Sequence, residues 1–74
     1  MTFYDRIIHL KQERNLLQKD IAAGAGIGLR QYQRYEKKEG EPSMESIIKL
    51  CNFFNVSADY LLGLSNDPTP PRKG

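Results

Sequence analysis

The sequence is poor in the residues that build disulfide frameworks and metal centres, with one cysteine and one histidine among 74 residues. A single cysteine cannot form an intramolecular disulfide, and this pair cannot supply the four ligands of a structural zinc site. No Ser/His/Asp arrangement and no paired carboxylates can be assembled, so we expect no enzyme, metal or cofactor. The absence of a disulfide framework is typical of a reducing compartment and predicts a cytoplasmic protein.

Long apolar runs are also missing. No stretch approaches the roughly 18 apolar residues of a membrane-spanning helix, and the first residues do not have the pattern of a signal peptide. The net charge of +2 is too small to identify a nucleic-acid-binding protein by itself. We expect one domain with a single core at residues 1–65. The Pro-rich, polar segment 66–74 is typical of a flexible tail or the start of a linker.

The chain does contain helical periodicity, interrupted by turn residues at short intervals. Apolar residues recur three and four positions apart in five segments, which are residues 3–14, 18–25, 29–37, 44–54 and 58–62. Thr2, Ser43 and Ser57 stand directly before three of these segments, where their hydroxyls can cap a helix. Gly63 closes the last one. Because no strand pattern accompanies them, we predict an all-α fold of five helices.

The second and third segments are joined by a short turn around Gly26, which we expect to have a positive φ. Two short helices joined in this way form a helix-turn-helix. Ala22 must be small because the following helix crosses over it, and Tyr32 and Tyr35 must point into the core. The three closely spaced glycines of this stretch are an alternative signal for a phosphate-binding loop. That interpretation lacks the preceding strand and the following Gly-Lys-Ser/Thr.

This stretch resembles the helix-turn-helix signature of phage-repressor-like regulators, the XRE or Cro/C1 family, in the spacing of Gln18, Ala22, Gly26 and Tyr32. The similarity covers about residues 4–64. It implies a lambda-repressor-like fold that binds double-stranded DNA and represses transcription, as a homodimer on a palindromic operator. Such small folds also serve as protein-interaction modules of the antitoxin or anti-repressor type, and this alternative stays open.

The outward face of the third helix, the recognition helix at about residues 28–37, carries the predicted base contacts. At about 100° per residue, this face contains Leu29, Arg30, Gln33, Arg34 and Lys37. Arginine can pair with guanine, glutamine with adenine, and leucine can touch a thymine methyl group. Any soluble helix turns polar residues outward, so the surrounding motif is what predicts base contacts by Arg30, Gln33 or Arg34.

The resemblance also implies contacts at the start of each helix of the motif. Gln18 is expected to lie on a phosphate and to orient Arg30 or Leu29. Gly28 is expected at the DNA surface as the N-cap of the recognition helix, where the family commonly has a hydroxyl residue.

Further contacts are expected where the third helix ends. Lys37 and Lys38 are placed for neighbouring backbone phosphates. Lys38 stands where the family normally has glycine. Glu36 matches the family's acidic residue that pairs with a basic residue of the first helix, which here is Lys11.

The last helix and the connector before it carry the predicted dimer interface, which consists of Val56, Tyr60, Leu61 and Leu64. The alternative is that all four close the core of the monomer.

Overall fold

The computed structural model describes residues 1–70, which form five α-helices joined by short turns. The helices are α1 (Phe3–Glu13), α2 (Gln18–Ala25), α3 (Leu29–Glu36), α4 (Met44–Phe54) and α5 (Ala58–Leu61). Residues 1–70 contain no strand, and the predicted all-α, five-helix fold is confirmed. Every helix begins at the predicted residue, while α1, α3 and α5 each end one residue earlier than predicted.

Polar side chains set the points at which the helices begin. As predicted, Thr2, Ser43 and Ser57 accept hydrogen bonds from backbone N–H groups in the first turns of α1, α4 and α5. Leu17 precedes α2 and has no acceptor. The Asp20 carboxylate instead accepts a hydrogen bond from the Leu17 N–H at 3.1 Å, so α2 begins with half of a capping box.

The core receives side chains from all five helices. The most deeply buried large side chains are Ile7, Leu10, Ile21, Tyr32, Leu50, Phe54 and Leu61. Full burial of an aliphatic or aromatic side chain of this kind contributes about 1.5–3 kcal/mol. The helix α2 packs against α3 and α4, and α1 packs against α3 and α5. The inner face of α3 is therefore held by several neighbours, and its opposite face points away from the core.

The C-terminal part of the core corrects the predicted dimer interface. Val56, Tyr60 and Leu61 are 4%, 8% and 0% exposed, so they close the monomer core. A covered side chain has no surface to offer to a second copy, and only Leu64, at 76% exposure, remains available. Arg6 was not predicted to be a core residue. Its Nε donates to the Tyr60 carbonyl at 2.8 Å, and its guanidinium lies 3.9 Å from the centre of the Tyr60 ring.

The segment after α5 folds back onto the start of that helix. The Ser57 N–H donates to the Pro68 carbonyl at 3.0 Å, and the Thr69 N–H donates to the Asp67 carboxylate at 3.0 Å. Of the predicted tail, 66–74, residues 71–74 lie outside the described residues. None of the helices in residues 1–70 is long and apolar enough to span a membrane.

Candidate nucleic-acid interface

The turn between α2 and α3 fixes how the two helices cross. Gly26 ends α2 with a φ of 77°, the left-handed conformation predicted for it, and its N–H donates to the Ala22 carbonyl at 3.0 Å. Such a φ is costly for a residue with a β-carbon. Ala22 is 3% exposed, which agrees with the predicted need for a small residue. Tyr32 and Tyr35, at 0% and 3% exposure, are core residues as predicted and anchor α3.

All five predicted contact residues of α3 lie outside the core. Leu29, Arg30, Arg34 and Lys37 are exposed and Gln33 is half-buried. Within residues 1–70, Arg30 and Lys37 form no ion pair, and the Arg34 Nε lies 4.0 Å from a Glu39 carboxylate oxygen. Gly28, the N-cap of α3, is exposed as well. Cationic groups without a close acidic partner are available for phosphates or base edges.

Four side chains connect α1 to the outward face of α3. The Lys11 Nζ donates to Glu36 Oε1 at 2.8 Å, which is the predicted ion pair. The Gln18 Nε2 donates to the same oxygen at 2.9 Å, and the Gln33 Nε2 donates to Gln18 Oε1 at 3.1 Å. Gln18 therefore orients Gln33 rather than Arg30 or Leu29, because Gln33 and Glu36 are three residues apart and lie on the same side of α3.

Glu36 lies at the inner end of this chain and is largely buried. Burial by itself raises the pKa of its carboxyl, but the hydrogen bonds from Lys11 and Gln18, together with the Lys11 charge, lower it overall. Burial and the nearby Glu36 carboxylate raise the pKa of Tyr32. Among the described residues, the Tyr32 hydroxyl and Glu36 Oε2 are the buried side-chain oxygens without a hydrogen bond of good geometry, although the two groups are neighbours. The carboxylate stays ionised at neutral pH.

The chain leaves α3 through a left-handed residue, Lys38, with a φ of 60°. The Lys38 N–H donates to the Tyr35 carbonyl at 3.0 Å and the Glu39 N–H donates to the Arg34 carbonyl at 2.9 Å, which is a Schellman motif. Glycine is the preferred residue there, which explains why the family normally has it, and Lys38 adopts the same left-handed conformation. The Lys38 Nζ lies 3.5 Å from an Asp5 carboxylate oxygen, an exposed pair that contributes little.

Sequence reasoning missed the link between α3 and α4. The Tyr35 hydroxyl donates to Ser46 Oγ at 3.0 Å and accepts from the Gln31 amide at 2.8 Å. Ser46 is 5% exposed, a polar residue inside the core face of α4. A tyrosine predicted to be buried needs a hydrogen-bond partner for its hydroxyl, and this requirement could have predicted a polar residue opposite Tyr35.

Comparison with known proteins places this arrangement in context. A family model described as helix-turn-helix matches residues 7–61. The uncharacterised HTH-type transcriptional regulator YobD of Bacillus subtilis is 31% identical over 92% of this chain and 61% of its own length. The HTH-type transcriptional regulator ImmR of the same species is 35% identical over 85% of this chain and 50% of its own.

Two further proteins extend this similarity. The cryptic phage CTXphi transcriptional repressor RstR of Vibrio cholerae is 33% identical over 85% of this chain and 56% of its own. A crystal structure of a transcriptional regulator from Listeria innocua superposes with a TM-score of 0.75 at 31% identity, over 84% of this chain and 58% of that one. The chain thus spans between 50% and 61% of the length of these four proteins.

Proposed function

Since this chain belongs to the helix-turn-helix family of transcriptional regulators, of the phage-repressor-like Cro/C1 or XRE type, we propose that it binds double-stranded DNA sequence-specifically and represses transcription. The observation that supports this most strongly is the outward face of α3. It presents Arg30, Gln33 and Arg34 from a helix whose opposite face is held in the core by Tyr32 and Tyr35. A rigid helix with such side chains fits the major groove of B-DNA.

Two groups of residues have different tasks in this proposal. Arg30, Gln33 and Arg34 contact base edges, with Leu29 against a thymine methyl group. Phosphates on either side are contacted by Gln18 and the backbone at Gly28, and by Lys37 and Lys38 at the other end of α3. Such contacts fix the register of the protein on the duplex and add affinity without sequence preference. No catalytic step is required, and the protein acts in the cytoplasm, where it meets the DNA.

The operator is proposed to be a palindrome bound by two copies of the chain. One recognition helix covers only a few base pairs, and a single small module rarely binds a site tightly at cellular salt. Two copies related by a two-fold axis double the contacts and require half-sites about 34 Å apart.

The experiment is a gel shift against a pool of random duplexes, followed by sequencing of the retained DNA. Arg30→Ala is expected to lose about 1–3 kcal/mol on the selected site and to relax the preference at one or two base pairs. Lys37→Ala, at the C-cap of the same helix and also without an ion pair within residues 1–70, serves as the control. It should weaken all sequences almost equally and lower the salt dependence. If no duplex is enriched, the proposed function is wrong and a protein partner becomes the alternative.

A further inference from the structure

The hydrogen-bonded chain from Lys11 to Gln33 has a direction that is fixed at its inner end. The Lys11 ammonium can only donate and the ionised Glu36 carboxylate can only accept. Gln18 must therefore turn its NH2 group toward Glu36, at 2.9 Å, which leaves its carbonyl oxygen facing Gln33. Gln33 must in turn donate its own NH2 group to that oxygen, at 3.1 Å. This assignment of the two amides follows from the donors and acceptors alone.

The carbonyl oxygen of Gln33 is the open end of the chain. It accepts no hydrogen bond from residues 1–70. It is also not among the buried oxygens that lack a partner in this range, which are the Tyr32 hydroxyl and Glu36 Oε2, so it is open to solvent. Gln33 is half-buried on the face of α3 that carries Arg30 and Arg34. The oxygen is thus an acceptor on the proposed DNA-binding surface.

We propose that Gln33 recognises DNA as an acceptor of fixed orientation, with Gln18 as the residue that positions it. In the major groove, the base groups that donate are the N6 amino group of adenine and the N4 amino group of cytosine. Guanine and thymine present only acceptors there. Gln18 uses only one of the two N–H groups of the Gln33 amide, so the second can donate to N7 of an adenine whose amino group donates to the oxygen. At one position of the operator, the protein therefore favours adenine, and favours cytosine over guanine or thymine, because only these two bases donate to the oriented oxygen. This inference rests on the proposed binding of duplex DNA.

An unrestrained glutamine could present either end of its amide and would accept all four bases. Here a half-turn of the Gln33 amide would bring its oxygen against the oxygen of Gln18. A compensating half-turn of the Gln18 amide would bring the Gln18 carbonyl oxygen against the Glu36 carboxylate instead. Both rotations replace a hydrogen bond with two acceptors in contact. The charge pair of Lys11 and Glu36 thus fixes the orientation of a side chain on the DNA-binding face.

The test measures binding of the wild-type protein to its selected duplex with all four bases at each position. Gln33→Ala identifies the position that Gln33 contacts, because only there should the preference disappear. At that position we expect adenine and cytosine to bind about tenfold more tightly than guanine and thymine. Replacement of a selected adenine by a purine without the 6-amino group should cause a similar loss.

Two variants separate positioning from simple support of the fold. Gln18→Met removes both hydrogen bonds at nearly constant shape, so the preference for amino bases at this one position should fall to within about twofold while the other positions keep theirs. Gln33→Glu, made together with Gln18→Met so that no oxygen of Gln18 faces the new carboxylate, is an acceptor at both ends. It should keep the preference for amino bases, although the added charge lowers affinity for every sequence. Thermal melting of each variant checks that it is folded.

The outcomes are distinguishable. If the wild type enriches no duplex, the proposed function fails. If it enriches a duplex but prefers guanine or thymine at the Gln33 position, or if Gln33→Ala alters no position, the oriented acceptor is wrong while DNA binding stands. An unchanged preference in a folded Gln18→Met protein also overturns the role of Gln18. Loss of the preference in a folded protein that carries both Gln18→Met and Gln33→Glu means that Gln33 acts as a donor.

Discussion

At the scale of single residues, Lys11 links the stability of the fold to the shape of the proposed DNA-binding surface. Its ammonium is one of two donors that reach Glu36 Oε1, and the Lys11 and Glu36 side chains are only 21% and 10% exposed. A carboxylate that loses a partner at such a position stays desolvated without full compensation. The effect of a substitution at Lys11 should therefore show first in stability.

Lys11→Ala is expected to lower the free energy of unfolding by about 1–3 kcal/mol, because Glu36 then keeps only the hydrogen bond from Gln18. Lys11→Arg keeps the charge and the donor and should be tolerated. Denaturant unfolding with an unchanged m-value measures the difference. A Lys11→Ala protein with wild-type stability but no DNA binding would show instead that Lys11 contacts DNA.

Glu36 also makes stability depend on pH. Burial alone raises the pKa of its carboxyl, but Lys11 and Gln18 lower it below its ordinary value of 4.5. A lowered folded-state pKa gives stability that is present above the unfolded-state value and is lost as the pH falls through the folded-state value. The stability difference between the wild type and Glu36→Gln should be constant from about pH 7 to 5 and shrink below pH 4.5.

Chemical denaturation at a series of pH values checks this prediction. The exposed carboxyls whose pKa values are also lowered are present in both proteins, so their contributions cancel in the difference. A difference between the two proteins that does not change with pH would show that Glu36 acts by shape alone.

Sequence reasoning at this scale succeeded where one pair of charges decides the contact, as for Lys11 and Glu36. It placed Gln18 correctly at the start of α2 but gave it the wrong partner. The choice between Arg30 and Gln33 depends on the crossing of α2 and α3, which periodicity does not specify. Arg6 was missed for a related reason. Its hydrogen bonds go to backbone carbonyls of Tyr60 and Ser65, and a backbone carbonyl has no signature in the sequence.

At the scale of elements, the exit from α3 shows how one backbone conformation determines a residue preference. Lys38 occupies the left-handed C′ position of a Schellman motif at a φ of 60°, while its neighbour Lys37 has an ordinary φ of −86°. A left-handed conformation costs a residue with a β-carbon roughly 1–2 kcal/mol, whereas glycine adopts it readily.

Lys38→Gly should therefore be more stable than Lys38→Ala by about 1 kcal/mol, although both variants lose the charge that lies near Asp5. The matched pair at the neighbouring position should show the opposite order. Lys37→Gly is expected to be less stable than Lys37→Ala by about 0.5–1 kcal/mol, since its φ suits any residue. Thermal or denaturant unfolding of the four proteins measures both differences. Equal stabilities within the Lys38 pair would contradict the left-handed assignment.

The starts of α1, α3, α4 and α5 were predicted because the signals there are local, whereas Leu17 offers no side-chain cap before α2. Hydroxyl caps stand one residue before α1, α4 and α5, and the glycine turn stands directly before the start of α3. The ends of α1 and α3 were each placed one residue too late. A helix ends where the backbone conformation changes, and Arg14 and Lys37 both have non-helical dihedral angles without any residue-type signal for them.

At the scale of the whole molecule, the burial of apolar side chains changes the prediction that the protein forms a dimer. The dimer prediction depended on four residues near α5, three of which the monomer core uses. Periodicity counted these residues as surplus because it does not show that Arg6 and α1 cover Tyr60. Isolated exposed apolar residues are ordinary on a monomer, and Leu64 is one of them. Leu64 alone offers too little apolar surface to predict a stable dimer in solution.

We therefore expect residues 1–74 to be a monomer in free solution and to assemble as two copies only on a palindromic duplex. Each recognition helix binds one half-site. Contact with the first copy through Leu64 then raises the affinity with which the second copy binds. Sedimentation should show a monomer without the selected duplex and two copies of the chain per duplex with it.

Leu64→Ser should reduce the cooperativity of the second binding step while binding to a single half-site is unchanged. Ile48→Ser, at a side chain that is 54% exposed on α4, is the control for the loss of an exposed apolar residue. A stable dimer without DNA, or strict 1:1 binding to a duplex with two half-sites at saturating protein, would contradict this arrangement. Loss of cooperativity in Ile48→Ser alone would place the contact on α4 instead, because only the surface that meets the second copy can alter the second step.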